Sequence, residues 1–286
     1  MLRFQTLLQT NWDWRAAGNF MFGGTGSGLL LMIVAAYYPA TPALLPGITA
    51  LALVGAGLTL VWLEIGRPKR ALNVFRHPET SWMTREGFVA TLMFALAFFG
   101  VVAKWPALIA LSGMAALAFL YCQARILMAS KGIPAWREPS ILALVMATGL
   151  AEGAALLLVL LALGTGAAPW AAFVLLALLA LRAVAWMNYR QRLSGTGVPP
   201  QTKTTLEQLD RPVQWGGNAL PALLVAVALV AGVLPDLLYV LAGIATVASG
   251  WWLKFNIVTR AAQVQGYAFG KLRTGHPLGL KPTKAA

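Results

Sequence analysis

The sequence predicts an all-α integral membrane protein, a polytopic bundle of eight transmembrane helices. Of its 286 residues, 59% are hydrophobic and only 11% are charged, whereas soluble domains carry about 25% charged residues. The mean hydropathy of +0.71 indicates the same class, and these figures exclude a disordered chain. The 22 lysines and arginines outnumber the 9 acidic residues. This excess does not indicate nucleic-acid binding, because the basic residues do not belong to a soluble domain.

Eight stretches are long and apolar enough to cross a bilayer, which takes about 20 residues in a helix. The predicted spans are 18–38, 44–65, 86–103, 105–129, 139–163, 168–189, 213–234 and 236–260. Backbone groups cannot remain unpaired in lipid, so each span must be a helix or a strand of a closed barrel. A barrel needs alternating segments of about 10 residues, and continuous apolar runs such as 171–181 exclude it.

The two ends of the chain are predicted to lie outside the bundle. Residues 1–17 do not resemble a cleavable signal, because Asp13 and Arg15 interrupt them. Trp12 and Trp14 are typical of interfacial anchors. Residues 1–260 are expected to form the eight-helix transmembrane domain with an N-terminal interfacial segment, and residues 261–286 an extended C-terminal tail.

The charge distribution predicts the orientation of the bundle. With eight crossings both termini share one side, and every lysine and arginine except Lys104 falls on that side, which we call the basic side. The positive-inside rule then predicts an inner (cytoplasmic) membrane protein with both termini in the cytoplasm. A docking surface for an acidic partner would produce the same asymmetry. On this side, the capping-box spacing of Thr204 and Glu207 predicts a short surface helix over 205–210.

Histidine and cysteine are too scarce for a resident metal centre. His77 and His276 both lie in predicted loops, whereas a bilayer-embedded haem usually takes its axial ligands from helices. Cys122 is the single cysteine, so the chain cannot supply a cysteine-ligated cluster or an internal disulfide. We therefore expect no haem and no metal in this chain.

A glycine-rich stretch opens the first span. Residues 23–28 read Gly-Gly-Thr-Gly-Ser-Gly, but they lack the lysine and the strand context of a phosphate-binding loop. Gly24 and Gly28 have the GxxxG spacing that lets transmembrane helices approach closely. We interpret the stretch as a helix-packing surface, which is compatible with a cleft for a flat ligand.

Ionisable residues in the spans are candidate functional groups, because charge inside a membrane is costly. They are Glu64, Glu86, Arg125, Glu152, Arg182 and Lys254. All except Glu152 are predicted in a shallow layer near the basic side, together with Tyr121, although an arginine or lysine there can also snorkel to the interface. Glu152 is too deep to snorkel, so we expect it to be protonated, paired with Arg182, or part of a proton path.

A polar layer at the edge of an apolar bundle suits an amphipathic substrate with a lipid tail, such as a quinone. The quinone ring needs hydrogen-bond donors, and its reduction takes two protons, which carboxylates such as Glu86 can deliver from the aqueous side. The sequence therefore predicts menaquinone or ubiquinone as an exchangeable substrate near the basic side.

Two segments carry a resemblance to a known family. Residues 63–73, Leu-Glu-Ile-Gly-Arg-Pro-Lys-Arg-Ala-Leu-Asn, and 81–86, Ser-Trp-Met-Thr-Arg-Glu, resemble membrane-anchor subunits of dimethyl sulfoxide reductase-type molybdoenzymes, in the NrfD/polysulfide reductase superfamily. The glycine-rich first span is similar as well. The resemblance implies a subunit that holds an iron–sulfur (ferredoxin-like) protein and a molybdopterin catalytic protein to the membrane and exchanges electrons with quinone. Within the family, the chain resembles anchors of cytoplasm-facing enzymes such as phenylacetyl-CoA:acceptor oxidoreductase.

The resemblance also implies residue roles. Glu86 falls on the family's quinone-site glutamate, and the structural turn is matched by Gly66, Pro68, Arg70, Ala71 and Asn73. Glu64 stands where the family usually has a histidine linked to quinol binding. This departure leaves the quinone type and the direction of electron flow open, because a carboxylate and an imidazole differ in pKa. The predicted quinone-binding residues are Asn19, Glu64, Arg67, Glu86, Tyr121, Arg125 and Arg182. We expect Glu64 and Glu86 to have the catalytic role and, from its depth alone, Glu152 to lie on a proton path.

Two other functions are compatible with the same sequence. A passive anchor would hold the partner proteins without contacting quinone. A secondary transporter would need discontinuous helices near the midplane and paired repeats, and the sequence shows no fixed-period repeat.

Overall fold

The computed structural model describes residues 6–40, 44–64, 73–166, 169–195 and 197–264. Within these ranges, eight helices are long and apolar enough to cross a membrane, so the predicted all-α bundle of eight spans is confirmed. The spans are α1 Trp14–Tyr37, α2 Leu44–Glu64, α3 Trp82–Val102, α4 Pro106–Ala129, α5 Ile141–Gly164, α6 Pro169–Ser194, α7 Pro200–Ala231 and α8 Pro235–Thr259. The one-turn helix Pro134–Arg137 precedes α5. Arg67 and most of the tail, 265–286, lie outside the described residues.

Four helices extend further on the basic side than predicted: α1, α3 and α7 begin earlier, and α6 ends later, at Ser194. The Asp13 side chain caps α1 by accepting a hydrogen bond from the Arg15 backbone N–H at 2.8 Å, so α1 begins before residue 18. Ser81 caps α3 in the same way, with the Thr84 N–H as donor. The predicted surface helix over 205–210 lies within Pro200–Arg211, which continues without a break into the seventh span.

The centre of the bundle is a glycine-on-glycine contact between α1 and α5. A Cβ atom on Gly28 would lie 2.0 Å from the Gly149 carbonyl oxygen, and one on Gly153 would lie 2.1 Å from the Gly28 carbonyl carbon. Gly149 and Gly153 repeat the GxxxG spacing of Gly24 and Gly28, so two backbones meet where any side chain would collide. The predicted packing role of the glycine stretch is confirmed.

The other helices surround this central pair in two groups. Helices α2 and α4 pack against α1, and α3 packs against α4, whereas α6 and α8 pack against α5 and α7 packs against α8. In contrast, α2 and α3 contact each other little, although they are neighbours along the chain. The bundle therefore has an open seam between α2 and α3.

The two ends of the described chain meet on the basic side. Strand β1, Leu7–Leu8, pairs antiparallel with strand β2, Gln263–Val264. Side chains reinforce this end of the bundle: Gln9 Nε2 donates to the Val258 carbonyl, and Trp136 Nε1 donates to the Ile257 carbonyl. The pairing requires an even number of crossings between β1 and β2, as eight spans provide.

Two of the spanning helices contain a π-helical segment. In α1 it covers Asn19–Gly23, and in α7 it covers Pro212–Ala219. A π-segment changes the angular position of side chains on its helix and is frequent at functional sites. These two segments carry Asn19 and Asn218, and each amide belongs to one of two buried polar clusters in the described part of the bundle.

Candidate functional site

The first cluster surrounds the Glu86 carboxyl group at the basic-side end of α3. Glu86 is only 4% exposed, and its Oε1 accepts a hydrogen bond from Asn19 Nδ2 at 3.1 Å. Gln123 Nε2, from α4, donates to the Asn19 backbone carbonyl at 2.9 Å. Three helices thus bring one carboxyl and two amide groups together, although the residues are far apart in sequence.

Glycines on α1 and α2 provide the space for these amide groups. A Cβ atom on Gly23 would lie 2.7 Å from Gln123 Nε2, and one on Gly57 would lie 3.0 Å from Asn19 Oδ1. A larger residue at either position would displace an amide group. The glycine-rich part of α1 therefore serves the polar cluster as well as helix packing.

Three oxygen atoms at this end of the bundle are buried without a hydrogen-bond partner among the described residues. They are Asn19 Oδ1, Gln123 Oε1 and Glu64 Oε1. Buried polar atoms are nearly always paired with protein, water or ligand, and an unpaired one costs about 1–3 kcal/mol. Asn19 and Glu64 line a cavity together with Glu86, which indicates a place where water or a bound molecule completes the site, whereas Gln123 Oε1 lies against Gly24.

Glu86 borders two cavities of different sizes. The smaller one, about 30 Å³, is lined by Asn19, Glu64 and Glu86 together with Trp12 and Met83. It has room for about one or two water molecules. Because both carboxyl groups line it, a water molecule there can connect Glu64, at the end of α2, to Glu86.

The larger cavity, which we call the Glu86 cleft, has a volume of about 490 Å³ and lies between α2 and α3. Its lining includes Glu86, Trp62, Phe75, Met83 and Phe94. A mostly apolar cleft of this size with few polar groups is typical of a small-molecule site. Its volume and its lining suit a ring-sized ligand with a hydrogen-bonding edge.

A stack of aromatic and arginine side chains lies next to the cluster. The guanidinium groups of Arg85 and Arg125 lie 4.2 Å and 4.4 Å from the centre of the Trp82 ring. Arg125 Nη1 also donates to the Tyr121 hydroxyl at 2.8 Å. This Trp82 stack concentrates positive charge at the basic-side end of α3 and α4, and its members are not among the described residues that line the two cavities at Glu86.

The N-terminal segment fixes the end of α2 beside the site. Arg15 forms an ion pair with Asp13 at 2.8 Å and donates to the Leu63 backbone carbonyl at 2.9 Å. The hydrogen bond from Arg15 lowers the pKa of Asp13 below its ordinary value, so the pair is charged at neutral pH. Glu64, which follows Leu63, is thereby held against α1.

The second cluster, which we call the deep cluster, contains a buried ion pair. Lys254 Nζ lies 2.6 Å from Glu152 Oε2, and the two residues are 3% and 0% exposed. The same carboxylate oxygen accepts a hydrogen bond from the Thr25 hydroxyl at 2.7 Å, and Thr25 in turn accepts one from Trp251 Nε1. Helices α1, α5 and α8 meet at this pair.

Arg182 belongs to the deep cluster and bonds to neutral groups. Its Nε donates to Asn218 Oδ1 at 2.7 Å, its Nη1 to the Thr246 carbonyl, and its Nη2 to the Gly217 carbonyl. The expected alternative that pairs Glu152 with Arg182 is therefore wrong as a direct contact: Lys254 holds that position. Because α6 extends to Ser194, Arg182 also lies deeper than the shallow layer predicted for it.

Glycine residues pack directly against the charged groups of the deep cluster. A Cβ on Gly250 would lie 2.1 Å from Glu152 Oε1, and one on Gly24 would lie 2.4 Å from Lys254 Nζ. Glu152 Oε1 lacks a hydrogen-bond partner among the described residues, but the Gly250 backbone lies directly against it. The backbone of these two glycines therefore fills the space next to the buried charges.

The predicted site residues fall into three places. Asn19, Glu64 and Glu86 surround one cavity, Tyr121 and Arg125 belong to the Trp82 stack, and Arg182 lies in the deep cluster. Their roles toward quinone stay predictions. Nothing in the sequence marks the apolar lining residues Trp62, Phe75 and Phe94, since they resemble any lipid-facing side chain.

Comparison with known proteins gives one partial similarity. The chain is 29% identical to a sulfite dehydrogenase subunit of Allochromatium vinosum over 159 aligned positions, which cover 46% of this chain and 49% of that protein. The chain thus matches about half the length of this relative. No protein-family profile matches the chain.

Proposed function

We propose that this chain is the quinone-reactive membrane subunit of a multi-subunit oxidoreductase. It passes electrons between a partner iron–sulfur subunit, itself connected to a molybdopterin catalytic subunit, and the quinone pool of the cytoplasmic membrane. The similarity to a sulfite dehydrogenase subunit supports a role in an oxidoreductase complex. It does not favour the phenylacetyl-CoA:acceptor oxidoreductase branch.

The observation that carries the proposal is the position of Glu86. A buried carboxyl group stands at the polar end of an otherwise apolar cleft, beside the unpaired oxygen of Asn19. A protonated Glu86 carboxyl can donate a hydrogen bond to a quinone oxygen, and a quinol hydroxyl can donate to the ionised carboxylate or to Asn19 Oδ1. The rest of the ring then lies in apolar surroundings. Neither a purely structural carboxyl nor a passive anchor requires a cleft of 490 Å³ next to it.

Glu86 and Glu64 have the chemistry for the proton transfers of the quinone reaction. A positioned carboxyl group that gives or takes a proton accelerates such a step by about 10²–10⁴-fold. The small cavity joins Glu86 to Glu64, and Glu64 ends α2 on the basic side. Protons can therefore move between water, Glu64 and Glu86 without crossing the bundle.

Electrons enter or leave on the same side. The sequence has one cysteine and two histidines, so the iron–sulfur cluster belongs to the partner. The basic side, with the Trp82 stack next to Glu86, offers positive charge to an acidic partner surface. A partner docked there brings its terminal cluster close to the quinone ring, and by the positive-inside rule this side is cytoplasmic.

Replacing Glu86 by glutamine in the intact complex tests the proposal. We expect Glu86→Gln to lower quinone-linked turnover by about 10²–10⁴-fold, while the complex still assembles and the partner still reacts with a soluble artificial electron acceptor. The matched control is Glu79→Gln, the same change at an exposed residue on the same side, which leaves turnover unchanged. Full quinone-linked turnover in Glu86→Gln would support a passive anchor instead.

We also propose that Glu152 lies on a proton path, because it is an ionisable group buried near the middle of α5. Complexes reconstituted into vesicles with a pH-sensitive dye inside would show proton movement beyond that of the quinone reaction. Glu152→Gln would abolish the additional movement. Identical proton movement in the wild type and the variant would contradict this role.

A further inference from the structure

We propose that the seam between α2 and α3 binds the apolar tail of the quinone, leading from the Glu86 cleft toward the opposite side of the membrane. This inference rests on the proposed function and adds the part of the site that selects ligands by tail length. The inference rests on three features of the seam: a second apolar cleft, the position of this cleft next to the first along α3, and the nature of the group at the polar end.

The second cleft, which we call the distal cleft, lies in the opposite-side half of α1–α4 and has a volume of about 370 Å³. Its lining includes Ile33, Gly47, Ile48 and Phe98. Among the described residues that line it, Ser112 is the only one with a hydroxyl group, and that hydroxyl already donates to a backbone carbonyl within α4. None of these lining residues is charged or carries an amide side chain, so the cleft suits a hydrocarbon chain rather than a polar headgroup.

The two clefts adjoin at Phe94, the residue that lines both of them. The tip of its ring faces Gly55 of α2, where an added Cβ would lie 3.8 Å from Phe94 Cζ. The seam therefore has a polar end at Glu86, a boundary between the two clefts at Phe94, which we call the waist, and an apolar end near Val102. From Glu86 to Val102 along α3 the distance is about 24 Å at 1.5 Å per residue, most of a hydrocarbon core of roughly 30 Å.

The seam is open to the bilayer, so a tail can enter sideways. Helices α2 and α3 contact each other little, and large apolar side chains along the seam, among them Ile48 and Phe98, are exposed. Because lipid is as apolar as the tail, binding there gains close packing rather than a hydrophobic driving force. The tail therefore mainly positions the ring, with a moderate gain in affinity.

The group at the polar end favours a quinone over a phospholipid. Glu86 presents a carboxyl group, which donates a hydrogen bond to a quinone oxygen when it is protonated and accepts one from a quinol hydroxyl when it is ionised. A phospholipid phosphate at the same place would stand against a carboxyl group without a cation, because the described residues that line both clefts include no arginine or lysine. One ligand with a neutral polar ring and a long apolar tail fits the whole seam.

Two glycine positions allow the seam to be obstructed step by step. Gly55→Leu places a side chain at the waist, opposite Phe94. Gly47→Phe fills the distal cleft, and it should be tolerated because a Cβ at Gly47 has no neighbour within 4 Å. The matched control is Gly164→Phe, at a position that is equally unobstructed at the opposite-side end of α5 and outside both clefts.

The test measures dissociation constants and KM of the intact complex in nanodiscs for ubiquinones with no, one, two and four isoprene units. We expect Gly55→Leu to weaken binding of the tailed quinones about tenfold, equal to about 1.4 kcal/mol, and Gly47→Phe to do so only for the longest tail. The tail-free quinone should bind all three glycine variants like the wild type and should depend on Glu86.

The outcomes separate the two proposals. If the tail-free quinone binds in a Glu86-dependent way but neither obstructing variant changes the preference for tail length, the tail site is wrong and the ring site stands. If no quinone binding depends on Glu86, the proposed function itself fails. Retention of a co-purifying phospholipid in the wild type that is lost in Gly47→Phe, without a change in quinone affinity, would assign the seam to lipid and overturn the inference.

Discussion

The Glu86 cluster and the deep cluster are built from similar groups but differ in the space around them. Both contain a buried carboxyl group and an amide carried on a π-helical segment. Beside Glu86 there are two cavities and three unpaired oxygens among the described residues. Around Glu152, one carboxylate oxygen is also unpaired, but an ion pair, a hydroxyl and glycine backbone fill the space. The comparison indicates that accessible space, more than buried charge itself, distinguishes a ligand site from a structural core.

The largest effect is expected from breaking the ion pair of the deep cluster. Lys254→Met leaves Glu152 without its cation in the bundle centre, and removing one partner of a buried pair costs about 3–5 kcal/mol. The free energy of unfolding in mixed micelles measures this loss. Combining Lys254→Met with Glu152→Gln should restore a large part of the stability, because both charges are then absent. A double variant as unstable as Lys254→Met would contradict a structural role of the pair.

A matched pair of asparagine variants sharpens the comparison between the clusters. Asn218→Ala removes an acceptor from buried Arg182 and should lower the free energy of unfolding by about 1–3 kcal/mol, without changing quinone affinity. Asn19→Ala leaves the buried Glu86 Oε1 without its hydrogen bond, so it should lower the free energy of unfolding by a similar amount, about 1–3 kcal/mol. Unlike Asn218→Ala, it should also weaken quinone binding about tenfold. The two measurements are quinone titration and denaturation of the same purified complexes. Weaker quinone binding in Asn218→Ala, with unchanged binding in Asn19→Ala, would instead place the ligand site at the deep cluster.

The smallest expected effect concerns the Trp82 stack. Trp82→Leu removes two cation–π contacts, each worth about 0.5–1 kcal/mol at a partly exposed site. It should lower the free energy of unfolding by about 1–2 kcal/mol and leave the affinity for quinone unchanged, since Trp82 is not among the residues that line the two cavities at Glu86. Loss of quinone binding in this variant would extend the site to Tyr121 and Arg125.

The number and class of the spans follow directly from the sequence, because the length and apolarity of a transmembrane helix are local properties. The GxxxG spacing of Gly24 and Gly28 is a local property as well, and it predicts a close helix contact without naming the partner helix. The start of α1 at Trp14 and the continuity of α7 differ from the prediction, because helix ends depend on caps and on neighbouring structure rather than on hydropathy.

The arrangement of the polar groups is less predictable. The predicted set includes Glu86 because a family pattern marks it, whereas the partnership of Glu152 with Lys254 depends on which helices touch. Helices that are apolar on all sides carry little directional signal, so the sequence does not show that α8, rather than α6, faces Glu152. The seam between α2 and α3 depends equally on helix arrangement.

Photolabelling of the intact complex tests the central claim most directly. An azidoquinone that carries its reactive group on the ring should label peptides lining the Glu86 cleft, around residues 58–62 and 83–94, and excess unlabelled quinone should suppress the labelling. Glu86→Gln should reduce this labelling, whereas Glu79→Gln should not. Labelling confined to α5–α8, or labelling that excess quinone does not suppress, would contradict a quinone site at Glu86.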